Sequence, residues 1–456
     1  MADAPLDYVS DHLDAFDADL SDFLRIPSIS ADPAYAADVR RAADWLADHL
    51  SQIGFPTVEV RETGGHPVVF AEDRSAGADK PTVLVYGHYD VQPPDPLDLW
   101  TSPPFEPVVR DGQLYARGSA DDKGQVMMHV KAAEAFYKTG TPLPVNLKLI
   151  IEGEEEVGSH HLAPYVDAHQ GELACDVIVI SDTAMFDQGI PSITVGLRGL
   201  AYVQVNLTGP DRDLHSGVYG GGVENPANAL AKLIADLHDA DHRVTVEGFY
   251  DGVVPLKADE RAAWAELPFD EAKWLGEIGL TVGKTEKGYT ILEATTARPT
   301  LDVNGMGSGY QGEGSKTVLP SKAFAKISCR LVPGQDPKDI AQKLRRHFET
   351  HLPDTMTMDF VELHGGQPVL MDTDQPAMTA AMDALRETYG RDAYFMREGG
   401  SIPVVADLKR ILGVDALLLG FGLTADAIHS PDEHFGLDRY HEGIATVVRF
   451  WGNYGA

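Results

Sequence analysis

Two hydrophobic periods run along the chain. Residues 8–24 and 36–53 repeat apolar positions at helical spacing, and the second run stops at Gly54, placed as a helix C-cap. Strand-like runs follow: TVEV at 57–60, PVVFAE at 67–72 and the unbroken TVLVY at 82–86. The last has no alternating polar position, which predicts a parallel strand covered on both faces. GQVMMHVKAAEAFYKTG at 124–140 predicts a helix ended by glycine, VNLKLIIEG the next strand and CDVIVISD another. Strands alternating with helices predict an α/β fold, a mixed sheet with helices on both faces.

The period changes after Arg198. LAYVQVNLTG alternates apolar and polar positions, as a half-exposed strand does, and a glycine-rich loop and a helix opened by Asn225-Pro226 follow. Residues 322–332 predict another strand, DPKDIAQKLRRHFETHL a helix opened by Asp336-Pro337, and MTMDFVELHG a further strand. Together these predict a smaller α+β layer of βαββαβ type. Residues 240–300 give no reading, and a helix at 376–390 with the apolar DALLLGFG returns to the first character. The expected organisation is an α/β domain at 1–196 and 375–456, interrupted by an inserted domain at 197–374.

The 456 residues are enough for two cores. The 37 Lys plus Arg against 70 Asp plus Glu leave a formal charge of −33, which repels phosphate backbones and anionic lipid, so neither nucleic acid nor a membrane is an expected partner. Cys175 and Cys329 are the only cysteines, which excludes a disulfide framework or a CxxC site. The acidic, helix-periodic N-terminus lacks the order of a signal peptide, and no apolar run approaches the roughly 18 residues that span a membrane. A cytoplasmic protein is expected.

Metal-ligating side chains gather just past predicted strand ends, where open α/β sheets build their sites. His88 and Asp90 follow TVLVY, Asp121 and Asp122 precede a helix, Glu154, Glu155 and Glu156 follow NLKLIIEG, Asp182 follows VIVIS, and His429 follows DALLLGFG. Each has an ordinary reading: a loop imidazole, a helix cap, a solvated acidic run. Five strand ends with the same chemistry point instead to one shared cation site. Two imidazoles and several carboxylates without a thiolate suit Zn²⁺, Mn²⁺ or Co²⁺. So many anionic oxygens would repel one another strongly. Two divalent cations sharing a bridging carboxylate relieve that repulsion, and a neighbouring glutamate can serve as base.

The segments GHYDVQP, RGSADDKG, EGEEEVGS, ISDT, DLHSGVYGG, REGGSIPV and AIHSPDEH, in that order, resemble the M20 family of metallopeptidases, specifically its carnosinase-like dipeptidase branch. The resemblance implies that His88 and Asp182 bind one metal, Glu156 and His429 the other, and that Asp121 bridges. It implies Glu155 as general base, Asp90 as the carboxylate orienting the His88 ring, and His215 as a histidine that reaches the partner subunit's active site in a homodimer. Arg330 would clamp the substrate carboxylate. Thr317, His364, Gly399, Gly400 and Ser401 would be further candidate substrate contacts. The implied activity is hydrolysis of dipeptides or short peptides, with an N-acyl amino acid deacylase or glutamate carboxypeptidase on the same scaffold as the alternative and a non-catalytic binding protein as a third reading.

Overall fold

The computed structural model describes residues 3–400 and 402–456, with the backbone alone at 277. The chain divides into two compact units. The larger comprises Met1–Val195, Met371–Met396 and Val404–Ala456; the inserted one comprises Gly196–Leu370 and Arg397–Pro403. Arg397–Pro403 was expected with the last part of the α/β domain, but it packs with the inserted unit: the Arg198 Nε–H donates to the Gly399 carbonyl at 3.1 Å, and Arg198 N to that of Gly400 at 3.1 Å.

The sheet of the larger unit runs in the order Thr57–Arg61, Val68–Asp73, Asn146–Glu152, Thr82–His88, Val177–Ile180, Ala416–Leu418, Ser192–Leu197. Thr82–His88 pairs parallel with both of its neighbours, and Val177–Ile180 pairs parallel with Ala416–Leu418. The first two strands and the last run antiparallel to theirs, so the sheet is mixed. Every residue of Asn146–Glu152 and Val177–Ile180 is buried, and successive side chains point to opposite faces, so both faces of the sheet centre are covered. Helix Ala36–Ile53 packs on the first two strands and helix Lys123–Thr139 on Thr82–His88. Gly140 ends the latter at φ 66°, in the left-handed region where glycine is favoured.

The single N-terminal helix predicted over 8–24 is two, Asp3–Asp11 and Leu13–Leu24. His12 turns its ring back, donating from Nδ1 to the Tyr8 carbonyl at 2.8 Å and stacking on the Tyr8 ring.

In the inserted unit the strands lie in the order Thr300–Ser308, Lys322–Leu331, Gly199–Thr208, Thr357–Gly366, all antiparallel. Helices Pro226–Ala235 and Pro337–His351 complete the βαββαβ arrangement. Asn225 and Asp336 cap them, accepting from Ala227 N at 2.8 Å and Lys338 N at 2.9 Å. Val203, Val205, Leu207, Ala325, Ile327, Leu230, Leu233, Leu344 and Phe348 form one core between the helices and one face of this sheet. The stretch 240–300 contains three short helices, Ala258–Ala265, Glu271–Glu277 and Ile291–Thr296, each too brief to show a period. Among the described residues no helix is long and apolar enough to cross a membrane.

A buried ion pair locks the loop after Ala416–Leu418. Arg439 donates to both carboxylate oxygens of Asp426, at 2.7 and 2.5 Å, and to the Phe421 carbonyl at 2.9 Å. Both side chains are 1% exposed. Asp426→Ala would strand the guanidinium, and an unfolding free energy lower by about 3–5 kcal/mol is expected in denaturant titration.

Candidate metal centre

The strand Thr82–His88 ends with its last residue buried and its ring fixed. The His88 Nδ1–H donates to the Asp90 carbonyl at 3.1 Å, since a carbonyl can only accept, so in the neutral ring the lone pair is on Nε2. Nε2 lies 3.0 Å from Asp121 Oδ1 and 3.9 Å from Asp182 Oδ2. It makes no directed hydrogen bond among the described residues, although it is fully buried. A buried imidazole nitrogen aimed between two carboxylates, able to give up its proton to a cation, is what a cation ligand requires.

Asp121 turns its second oxygen the other way, 2.9 Å from His429 Nε2, and that nitrogen lies 3.3 Å from Glu156 Oε2. Two groups result, His88/Asp121/Asp182 and Asp121/Glu156/His429, with the candidate ligand atoms of each within 4.8 Å of one another. Asp121 belongs to both. A third group, Asp19/His49/Glu134, already holds a cation of its own: the Lys131 ammonium lies 2.5 Å from Asp19, 2.9 Å from His49 and 2.8 Å from Glu134. The donor set of the first two groups, imidazole nitrogen and carboxylate oxygen without sulfur, fits divalent Zn²⁺, Mn²⁺ or Co²⁺.

Electrostatics describe the strain of this arrangement without cations. Burial, and then the Asp121 and Asp122 carboxylates, hold the Asp182 carboxyl well above its usual range. Hydrogen bonding to Asp121 and Glu156 pushes His429 up to about 10. Burial opposes a charge on His88, but Asp121 and Asp90 outweigh it and raise its pKa as well. Protons therefore occupy the imidazoles where cations would sit, and cation binding must release them.

Asp90 does more than the resemblance implied. Its carboxylate is 3.4 Å from His88 Nδ1, but it accepts from Glu155 N at 3.3 Å, Glu156 N at 3.2 Å and Ser30 Oγ at 2.6 Å. The ring is oriented chiefly by the backbone carbonyl of Asp90, while the carboxylate anchors the short turn Glu155–Val157. Gln92 holds that turn too, donating from Nε2 to Glu156 Oε2 at 2.8 Å. Glu154 faces away, accepting from His66 N at 3.2 Å and pairing with His161 at 2.9 Å. Asp122 does not cap the helix it precedes; its Oδ2 accepts from His88 N at 3.2 Å. Ser30 and Gln92 were missed in the sequence, although Gln92 stands inside the quoted GHYDVQP. His429 sits in a loop where Ala427, His429 and Asp432 all adopt positive φ, 56°, 62° and 60°, a conformation that non-glycine residues rarely hold.

The strand before the glutamate turn ends in a buried acid. Burial, and then the Asp90 charge, push Glu152 up to about 8, against hydrogen bonds from Tyr86 and Ser159. Both hydroxyls donate to Oε1, at 2.6 and 2.8 Å. A glutamate in the unfolded chain titrates near ~4.3, so between there and about 8 the folded state keeps a proton that the unfolded state has lost. This group's stabilising share is present below that window and is lost as pH rises through it. Glu152→Gln, which keeps an accepting oxygen, is expected to match wild type near pH 4 and to exceed it by at least about 1 kcal/mol at pH 8. Denaturant titrations at the two pH values check this.

The remaining candidates lie in the inserted unit. His215 is exposed, pairs with Val318 and accepts from Gly217 N at Nδ1 over 3.0 Å, leaving the ring proton on Nε2. The Thr317 carbonyl accepts from Ser216 N at 3.1 Å, beside it. Arg330 stands opposite Leu200 and Thr300; burial, and then the Arg330 charge, lower the Arg198 guanidinium to about 10. Arg198 in turn holds the Gly399 and Gly400 carbonyls. His364 packs edge-on against Tyr202. Ser401 lies outside the described residues.

Residues 84–453 match the profile of Peptidase family M20/M25/M40. The Cys-Gly metallodipeptidase DUG1 of Candida albicans is 33% identical over 95% of this chain and 93% of its own. The solved structure of human carnosine dipeptidase 1 superposes with a TM-score of 0.80 at 30% identity, covering 100% of this chain and 98% of that one. The M20 family metallo-carboxypeptidase Sso-CP2 from Sulfolobus solfataricus gives 0.82 at 32% identity, over 96% and 98%. With the profile and these relatives each spanning most of its length, the chain belongs to peptidase family M20/M25/M40.

Proposed function

We propose that this chain is a two-cation dipeptidase that hydrolyses the peptide bond of dipeptides or short peptides. The observation that carries the reading is one carboxylate, Asp121, shared between two imidazole–carboxylate groups, with Glu155 on the adjoining turn. Cations held by His88, Asp121 and Asp182 and by Asp121, Glu156 and His429, zinc foremost and manganese or cobalt as alternatives, would polarise the scissile carbonyl and acidify a water.

Glu155 takes the proton of the attacking water and returns it to the departing amine. Asp90 keeps that glutamate in place through two peptide N–H groups. His215, with its proton on Nε2, donates to the developing oxyanion, and by the resemblance of DLHSGVYGG it does so in the partner's site of a homodimer. Arg330 grips the substrate carboxylate, and Thr317, His364, Gly399, Gly400 and Ser401 make the remaining contacts. In this reading the inserted unit serves as lid and dimerisation domain.

The relatives named as Cys-Gly and carnosine dipeptidases support dipeptides as the substrate class. The Sulfolobus solfataricus metallo-carboxypeptidase supports a second reading, removal of C-terminal residues from longer peptides. A panel of Cys-Gly, β-Ala-His and simple dipeptides, assayed beside N-blocked peptides and N-acetyl amino acids with Zn²⁺, Mn²⁺ or Co²⁺, separates them. Preference for free dipeptides is expected; faster release from the N-blocked substrates would overturn it.

A further inference from the structure

Glu433 is fully buried and lies outside both cation groups, yet its carboxylate gathers four donors. Oε2 accepts from Arg117 Nη1 at 2.6 Å and Gly118 N at 3.0 Å. Oε1 accepts from Ala120 N at 3.0 Å and Asp121 N at 3.2 Å. Its backbone carbonyl accepts from Ala116 N at 3.1 Å. Residues 116–121 are thus wrapped around one side chain, and the wrapping ends at the residue whose carboxylate spans both groups. The side chain comes from the loop that carries His429, four positions earlier.

A stability ion pair would need only Arg117, which is itself 1% exposed. The three peptide donors make a nest for an anion, of the kind that binds phosphate elsewhere, filled here by the chain's own carboxylate. Gly118 is what lets the loop close: its φ is 85°, and a Cβ there would sit 2.6 Å from Val91 Cγ1. The backbone of Asp121 is thereby tied to the loop of His429, so the oxygen 2.9 Å from His429 Nε2 and the one 3.0 Å from His88 Nε2 are set by the same clasp.

We infer that Glu433 is a positioning residue that, by clasping the loop 116–121, sets the Asp121 carboxylate between the two cation sites. The inference rests on the metal reading above. Glu433→Gln preserves size, but either orientation of its amide turns an NH₂ toward two of the four donors, and half the nest is lost. Asp121 is then free to drift, and both cations are expected to bind more weakly.

The test titrates metal-free protein with Co²⁺ by calorimetry while recording the cobalt absorption bands. Glu433→Gln is expected to weaken cobalt binding by about 10- to 100-fold, as loss of a ligand's supporting partner does, to alter the bands, and to lower kcat with KM for a dipeptide near wild type. Glu433→Asp, which keeps the charge on a shorter stem, should fall between, and serves if the Gln variant does not fold. Tyr137→Phe, which removes a hydrogen bond to the buried Asp73 elsewhere in the same unit and outside every candidate ligand group, should lower the melting temperature and leave cobalt binding and its spectrum unchanged. Wild-type cobalt affinity and bands in both Glu433 variants would overturn the clasp, whatever their melting temperatures. A wild-type protein that binds two cobalt ions but cleaves no peptide would sink the dipeptidase reading and leave the clasp standing; one that binds none would sink both.

Discussion

Glu155→Gln is expected to lower turnover by about 10²–10⁴-fold and to leave cation content at the wild-type level. The geometry separates the two effects. Glu156, not Glu155, belongs to a candidate ligand group, and Gln92 fixes it from outside. The turn that carries both glutamates is held by their peptide N–H groups on Asp90, contacts that an isosteric amide does not disturb. What the substitution removes is the proton acceptor. Burial, and then the neighbouring Glu156, Asp121 and Asp90 charges, push the Glu155 carboxyl up to about 7. Cations placed beside it would lower that value, and a base acts only when deprotonated. The acidic limb of kcat/KM should therefore rise with pH at a midpoint below 7 in wild type and be absent from the variant's residual rate. Metal analysis and steady-state kinetics on one preparation decide the matter. Loss of a cation together with activity would make Glu155 a ligand, and full activity would remove it from the mechanism.

The strand ends were legible because their signal is local. TVLVY has no polar position between its apolar ones, so a buried strand over 82–86 follows from the run itself, and the structure carries it on to His88. The inserted unit was legible for the opposite reason: KAFAKISCRL alternates, and its burial alternates with it. The split at His12 was not, because it is a backbone departure at one residue, φ −123° and ψ 16°, that apolar spacing does not report. Nor was the packing of Arg397–Pro403 with the inserted unit, which hangs on hydrogen bonds to Arg198, about two hundred positions earlier.

The same distinction runs through the candidate site. Residue type and position brought His88, Asp121, Glu156, Asp182 and His429 forward, since imidazoles and carboxylates at strand ends are conspicuous. Their supports were hidden because each looks ordinary in its own segment. Asp90 was read as the partner of a ring two residues away, and its carboxylate, 3.4 Å from that ring, also reaches a turn 65 positions on. Glu433, in the quoted AIHSPDEH, reads as a surface acid until Arg117 and three peptide N–H groups are seen to close on it. Spacing along a chain predicts which groups share a face; it carries no trace of a hydrogen bond spanning three hundred residues.

Asp121→Ala should have the larger effect on metal content. Asp182 and Glu156 each enter one ligand group, so removing either is expected to cost one cation. Asp121 enters both, with one oxygen 3.0 Å from His88 Nε2 and the other 2.9 Å from His429 Nε2. Without it each group falls to two donors, fewer than the three protein ligands usual for a catalytic zinc site. Stoichiometry is expected to drop from two toward zero, and turnover by more than about 10⁴-fold, since the base and the cation-acidified water lose their geometry together. Protons should report the same event. In the metal-free protein His429 is pushed up to about 10, by hydrogen bonding to Asp121 first and Glu156 next, so at pH 8 cation binding to wild type must expel its proton. Removing Asp121 takes away the leading cause of that shift, and the proton release per cation bound, measured by calorimetry in buffers of different ionisation enthalpy, should shrink. An Asp121→Ala protein that still bound two cations with wild-type proton release would show that the two groups do not share this carboxylate.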